Sequence, residues 1–379
     1  MKVKYETKTL NATPFGGLYL FTEFLHQVGF HKRFNDCFKK LRKIRQSSPS
    51  QNVALLAGMI IAGGERLYDI GRLANDQTIG ELFDLDSTPK DTTLRDDLIL
   101  IGQKDSARAA LLLDFNILLF EKLGLHKITI DVDGTALPVD GHQEGAEKGY
   151  CPAEPGSRCF QSIKAICDET ETVLAEWTFT GNSHCAKDII AMLKPLLERL
   201  AEADIKIKLR MDTGFYGDAL LLMLESYPNI SYEIGVPQHD WLKDKIRTMP
   251  YKSYYQSERQ YCSFAYGSGL KGAFRYYYVE RSEKPVGSQT DLFDQDQYNY
   301  RVVISNQDHQ PQIIFKSYNK RGRVEKHIEE LKNQYALGKM ISGNFDVTKA
   351  LCWLSHLTFT LIGMIRQIAF RKKMKKYRL

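Results

Sequence analysis

The sequence predicts a mixed α/β protein: an all-helical N-terminal domain, a sheet built in the order βββαβαβ, a β-rich insertion, then a closing helix. Three observations predict it. Apolar residues recur at helical spacing from residue 18 to about 120. At 126 the texture turns to alternating, β-branched runs. Long amphipathic stretches then separate further strand-like runs, as in α/β domains. The expected segments are 1–120, 121–238, 239–298, 299–345 and 346–379.

In the first segment, "LYLFTEFLHQVGFHKRFNDCFKKLRKIRQ" and "NVALLAGMIIAGGERLYDIGRLAND" carry helical apolar spacing, and "SSPSQ" at 47–51 marks a loop or helix start. In "STPKDTTLRDDLILIG", Ser87 or Thr88 is a candidate cap with Pro89 in the first turn. "HKITIDVDGTALP" reads as a strand ending near Gly134. "FQSIKAICDE" and "TVLAEWTFTG" read as two more strands around a short turn at Asp168–Glu171. "HCAKDIIAMLKPLLERLAEAD" is a helix, "IKIKLRMDTG" a strand, "GDALLLMLESYP" a helix and "SYEIGVP" a strand. Together they make three antiparallel strands with two parallel additions. Residues 239–298 are tyrosine-rich and strand-like with no long helical pattern. "YNYRVVISN" returns as a strand, a single helix spans 315–332, and 347–370 reads as a core-packing helix.

A chain of 379 residues with 43% hydrophobic content holds two or three real cores and is not disordered. No run approaches eighteen apolar residues, and the N-terminus lacks the apolar stretch of a secretory signal. A soluble, cytoplasmic protein is expected. Seven cysteines without a C-x2-C pair indicate reduced structural thiols. His184 and Cys185 are adjacent, and neighbours on a chain seldom point at one metal ion. Of the net charge of +6, the tail "RKKMKKYRL" alone supplies six basic groups. A second cluster, "KKLRKIR" at 39–45, has five basic residues in seven. Both suit a polyanion, although charge runs are often only solvated surface.

Three acidic residues fit one site. Asp133 closes the first strand and Asp212 the fourth, each before a glycine-bearing turn ("DVDGT", "RMDTGFYG"). Laid parallel, the two strands deliver both carboxylates to one edge of the sheet. Asp131 shares a face with Asp133 and is an alternative, and strand-end aspartates often only form turns. On the 315–332 helix, Tyr318, Arg321, Glu325 and Lys332 fall within about 60° around the axis. Val324, Ile328, Leu331 and Tyr335 form a second, apolar arc that docks the helix. Glu325 would supply the third carboxylate; Glu329 and Glu330 lie close by, Glu330 well off the stripe. The plainer reading is a solvated face with an Arg321–Glu325 ion pair.

The set "DVDGT", "RMDTGFYGD" and Tyr318-x2-Arg321-x3-Glu325-x6-Lys332 resembles the Asp-Asp-Glu transposases of bacterial insertion sequences whose signature is Y-x2-R-x3-E-x6-K. "IDVDGTALPVDGHQEGAEKGY" and "TGNSHCAKD" further resemble their group 1 transposase domain, over roughly 50–370. The resemblance implies an RNase H-like catalytic fold, with Asp133, Asp212 and Glu325 as catalytic ligands of two Mg²⁺ or Mn²⁺ ions. It implies that Tyr318, Arg321 and Lys332 contact DNA phosphates, and that the 239–298 insertion is β-stranded. It implies double-stranded DNA as partner, both terminal inverted repeats and target, and a homodimer that brings two ends together. The helical N-terminal domain, with Lys39–Arg45 as candidate, would bind the ends. Two rivals remain: a nuclease of the same fold that cuts without joining, and a DNA-binding protein that has lost catalysis.

Overall fold

The computed structural model describes residues 13–44, 46–74, 76–183, 188–253, 258–267, 269–284 and 297–369. The tail at 371–379, Arg45 and the His184–Cys185 pair lie outside them.

Among the described residues seven α-helices precede the sheet: α1 (Leu18–Gln27), α2 (Phe30–Phe38), α3 (Pro49–Ile61), α4 (Ile70–Ala74), α5 (Gln77–Leu82), α6 (Asp91–Gly102) and α7 (Asp105–Leu123). The periodic run from residue 18 is cut twice. Gly29 at φ 65° separates α1 from α2, and α2 ends where Lys39 and Lys40 both take left-handed backbone. α3 begins in a capping box, with the Ser48 hydroxyl accepting from Gln51 N and Gln51 Oε1 accepting from Ser48 N. α6 starts at Asp91, so the cap expected at Ser87 or Thr88 is not used. The α region is disfavoured for the residue before Pro89, which delays the helix.

The strands are β1 (Lys127–Val139), β2 (Glu147–Lys148), β3 (Arg158–Cys167), β4 (Thr172–Thr180), β5 (Lys206–Met211), β6 (Ile230–Gly235), β7 (Lys252–Ser253), β8 (Gln260–Tyr266), β9 (Arg275–Glu283) and β10 (Tyr298–Ser305). β4, β3 and β1 run antiparallel, and β1, β5 and β6 run parallel. That is the RNase H-like arrangement. α8 (Ile189–Glu202) and α9 (Asp218–Glu225) make the two crossovers. β10 pairs antiparallel with β6, and β9, β8 and β7 follow it, so the strands after 239 continue the same sheet. The 239–298 stretch also holds a nine-residue helix, α10 (Asp240–Thr248), that its composition did not suggest. Only Leu242 and Ile246 of α10 are buried, too few apolar positions to stand out as periodicity.

The closing helix departs most from expectation. In place of one rod there are α11 (Pro311–Tyr318), a 3₁₀ turn at Asn319–Gly322, and α12 (Arg323–Gln334). "NKRG" offers no apolar residue to hold a regular α turn on the core, and none of the four is buried. In a 3₁₀ turn residues three apart eclipse, so Arg321 stands over Tyr318, its guanidinium carbon 5.8 Å from the ring centre.

Finally α13 (Phe345–Ala369) packs against α3, α6, α7 and β4, joining the helical region to the sheet. It is the one helix among the described residues long and apolar enough to cross a membrane, but 89% of its apolar window is buried inside the fold. Several of its polar groups bond within the helix or to its neighbours. Ser355 and Thr358 donate to the carbonyls of Leu351 and Leu354, and Trp353 Nε1 donates to Arg108 O at 3.1 Å.

Candidate active site

β5 and β1 part company at the last parallel pair, Val132 with Met211. β5 stops there and turns through a 3₁₀ segment at Thr213–Phe215, whereas β1 continues to Val139 on β3 alone. The strand expected to end near Gly134 therefore runs on, because β3 supplies an unbroken partner. Asp133 and Asp212 still emerge side by side, at the mouth of this split. Asp133 Oδ1 accepts from Gly134 N at 2.9 Å, and its side chain is 15% exposed against 50% for Asp212.

One guanidinium spans both carboxylates: Arg321 Nη1 lies 3.4 Å from Asp133 Oδ2 and Nη2 lies 3.7 Å from Asp212 Oδ1. Burial pushes the Asp133 carboxyl above its ordinary value, and Arg321 opposes that shift. Beside the pair opens a cleft of about 450 Å³ lined by Thr213, Gly235, Tyr300 and Arg301. A Cβ at Gly235 would come within 2.5 Å of Thr213 Oγ1 and 2.8 Å of the Tyr318 hydroxyl, so only glycine fits the cleft floor.

The other sequence-predicted residues fall around this pair. Tyr318 is buried, and its hydroxyl donates to Met211 O at 3.2 Å, tying α11 to the end of β5. Lys332 is half-buried and donates to Ala136 O at 3.3 Å, farther along β1; burial lowers its pKa. Glu325 lies in the first turn of α12, four residues beyond Arg321, and is exposed. Among the described residues no three acidic, histidine or cysteine groups converge as a metal-holding set. The structure thus joins Asp133, Asp212 and Arg321 and leaves Glu325 outside the group. Asp131 is not an alternative ligand: it is 2% exposed, with both oxygens accepting from Arg210 at 2.6 and 2.7 Å. Glu330 is buried near Arg366, 3.6 Å away.

Sequence reasoning missed this second layer. It includes Arg210, Lys208 and Glu233 under α11, and Lys164, whose buried ammonium sits opposite Asp133 on β3. A signal was present: in "DVD" and "RMD" the residues two before each site aspartate share its face, and one is acidic, the other basic.

The donor set suits a hard divalent cation. Two carboxylates lie on one guanidinium, which sits between them, and one of the two, Asp212, lines an open cleft with it.

The family profile described as transposase DDE domain group 1 matches residues 1–379. The chain belongs to that family. It is a DNA transposase by that membership, and DDE transposases use divalent metal ions. No curated protein matches the chain. Among solved structures, a piggyBac transposase synaptic complex with hairpin DNA is similar over 94% of this chain and 77% of that one, at 11% identity and a TM-score of 0.48.

Burial favours the protonated form of Asp133. As a cation ligand Asp133 would be needed ionised, so cleavage that depends on it would be present above the raised pKa and lost as pH falls through it. At subsaturating divalent cation, the acid limb of single-turnover cleavage should lie above the ordinary aspartate range. An acid limb at an unshifted aspartate value would contradict it.

Proposed function

We propose that this transposase cuts DNA at the ends of its element and joins the freed 3′-OH ends to target DNA. Asp133 and Asp212, with Glu325 from the first turn of α12, are the catalytic carboxylates that would hold two Mg²⁺ or Mn²⁺ ions. The observation that carries the reading is that Asp133 and Asp212, from adjacent parallel strands, meet at one guanidinium, that of Arg321, beside an open cleft that Asp212 and Arg321 line.

When bound, the ions would acidify a water or 3′-OH nucleophile and offset charge on the phosphate oxygens. Every other part is played by the chain. Arg321, which balances the two carboxylates here, is the planar fork able to turn to a phosphate once cations neutralise them. Lys332 holds the strand farther along β1 as a point charge. The Tyr318 ring floors the cleft beneath Arg321, and its hydroxyl borders the same space. Two ends must be held together, which calls for a homodimer on double-stranded DNA.

The deciding experiment is a cleavage and joining assay with Mg²⁺ on DNA carrying the element's ends. Nicking at the end followed by strand-transfer product supports the reading. Nicking without joining replaces it with a nuclease, and binding without nicking with a silent DNA-binding protein.

The basic loop after α2 gives a separate test. Arg42 is committed inward: it forms an ion pair with Asp97, which also accepts from Asn52 at 2.7 Å and is 1% exposed. Lys39, Lys40 and Lys43 are exposed. Replacing these three lysines with alanine should weaken end-DNA binding and flatten its salt dependence in gel shifts, with folding unchanged. Arg42→Ala should instead cost about 3–5 kcal/mol of stability by stranding a buried carboxylate. Unchanged affinity of the triple variant removes this loop from the DNA interface.

A further inference from the structure

Arg210 lies on β5 at 1% exposure, and every arm of its guanidinium is used. Nε and Nη2 donate to the two Asp131 oxygens, Nη2 is 3.0 Å from Asp168 Oδ2, and Nη1 donates to Ser317 O at 2.9 Å. Ser317 is the penultimate residue of α11. Asp168, in the β3–β4 turn, also faces Arg323 Nη1 at 3.3 Å, and Arg323 is the first residue of α12. The ion network therefore grips both sides of the 3₁₀ turn 319–322, the turn that carries Arg321 to the site. Lys208 reinforces the near side, donating to Ser317 Oγ at 3.1 Å and to Glu233 at 2.7 Å.

We infer that Arg210 is a positioning residue for strand cleavage: it fixes the 3₁₀ turn to β1 and β5, and so sets where Arg321 and Glu325 stand relative to Asp133 and Asp212. The inference rests on the transposase reading and adds to it a residue that touches neither metal nor phosphate. Stability alone does not account for the network. An apolar pair of similar volume at 131 and 210 would serve a buried site about as well, whereas only a forked donor reaches two carboxylates and a helix carbonyl at once. Lysine at 210 has one point of charge and cannot hold all three partners.

Asp131→Leu with Arg210→Met tests the inference, because the double change leaves no unpaired buried charge between them. Expected results are a melting temperature near wild type, end-DNA affinity within about twofold, and single-turnover cleavage slowed roughly 100-fold, the scale of a small misplacement of reacting groups. Amide hydrogens at 319–323 should exchange at least about tenfold faster. Arg210→Lys, which keeps a charge beside Asp131, should show the same split between binding and cleavage and covers the case in which the double variant fails to fold. Wild-type cleavage with unchanged exchange in either folded variant overturns the inference. The exchange measurement needs no catalysis: if the unaltered protein does not cut DNA the transposase reading falls, and the exchange rates still decide what Arg210 holds.

Discussion

Asp133→Ala is expected to abolish end cleavage, with a loss of at least about a thousandfold, and to leave the melting temperature close to that of the unaltered protein. Both halves follow from the site. A cation clamp contributes several kcal/mol at the transition state, and each 1.36 kcal/mol is a factor of ten in rate. The stability half is less intuitive. Asp133 is a mostly buried carboxylate raised above its ordinary pKa by burial, so alanine removes a desolvation cost, which offsets the loss of its charge beside Lys164 and Arg321. Asp131, two residues earlier on the same face, gives the opposite result. Its loss removes the bidentate partner of the buried Arg210, which keeps only Asp168 and a carbonyl, and costs about 3 kcal/mol. Paired thermal melts and single-turnover cleavage gels on Asp133→Ala, Asp131→Ala and Asp212→Ala decide it. Retained cleavage in Asp133→Ala removes that residue from the site, and a large drop in its melting temperature makes it structural.

Trp353→Ala is expected to lower stability by about 3–5 kcal/mol, the range for truncating a fully buried large aromatic. Trp353 is 0% exposed at the middle of α13, its ring lies edge-on to Phe38 with centres 5.7 Å apart, and its N–H ties α13 to the carbonyl of Arg108 on α7. The cavity opens at the junction of the helical region and the sheet, walled by α2, α7 and α13, so it has little room to collapse. Urea unfolding followed by circular dichroism measures the loss. A cost under about 1 kcal/mol would show that these helices close over the gap and that the junction is loosely packed.

How much of this was legible depended on whether a residue's setting is local. The strand order could be read because each strand and crossover helix carries its own period, and the two site aspartates because each sits where a strand meets a glycine-bearing turn. The 3₁₀ turn was only partly legible: "NKRG" shows a gap in the apolar pattern, but its flanks are held by Arg210 and Asp168, both distant in sequence. Asp131 and Asp133 are indistinguishable by spacing. What separates them is that β5 still flanks the first and has ended before the second. The joining of β8 and β9 to the main sheet was equally hidden, since they reach it through β10, whose pairing with β6 links residues about seventy apart. The exposed placement of Glu325 likewise depends on tertiary docking that no helical wheel contains.

The place of α13 in the fold has a consequence for how the protein is made. The helix comes after everything it packs on, and α3, α6, α7 and β4 are all synthesised before its first residue. A ribosome adding roughly 5–20 residues per second leaves the apolar slot between helical region and sheet unfilled for tens of seconds after α3 is complete. During that time the strands that carry Asp133 and Asp212 rest on a separate core, built with α7, α8 and α9 and holding no residue of α13. A chain terminated before residue 345 never fills that slot, and the apolar surface of α3, α6, α7 and β4 that α13 covers stays open to water and to aggregation.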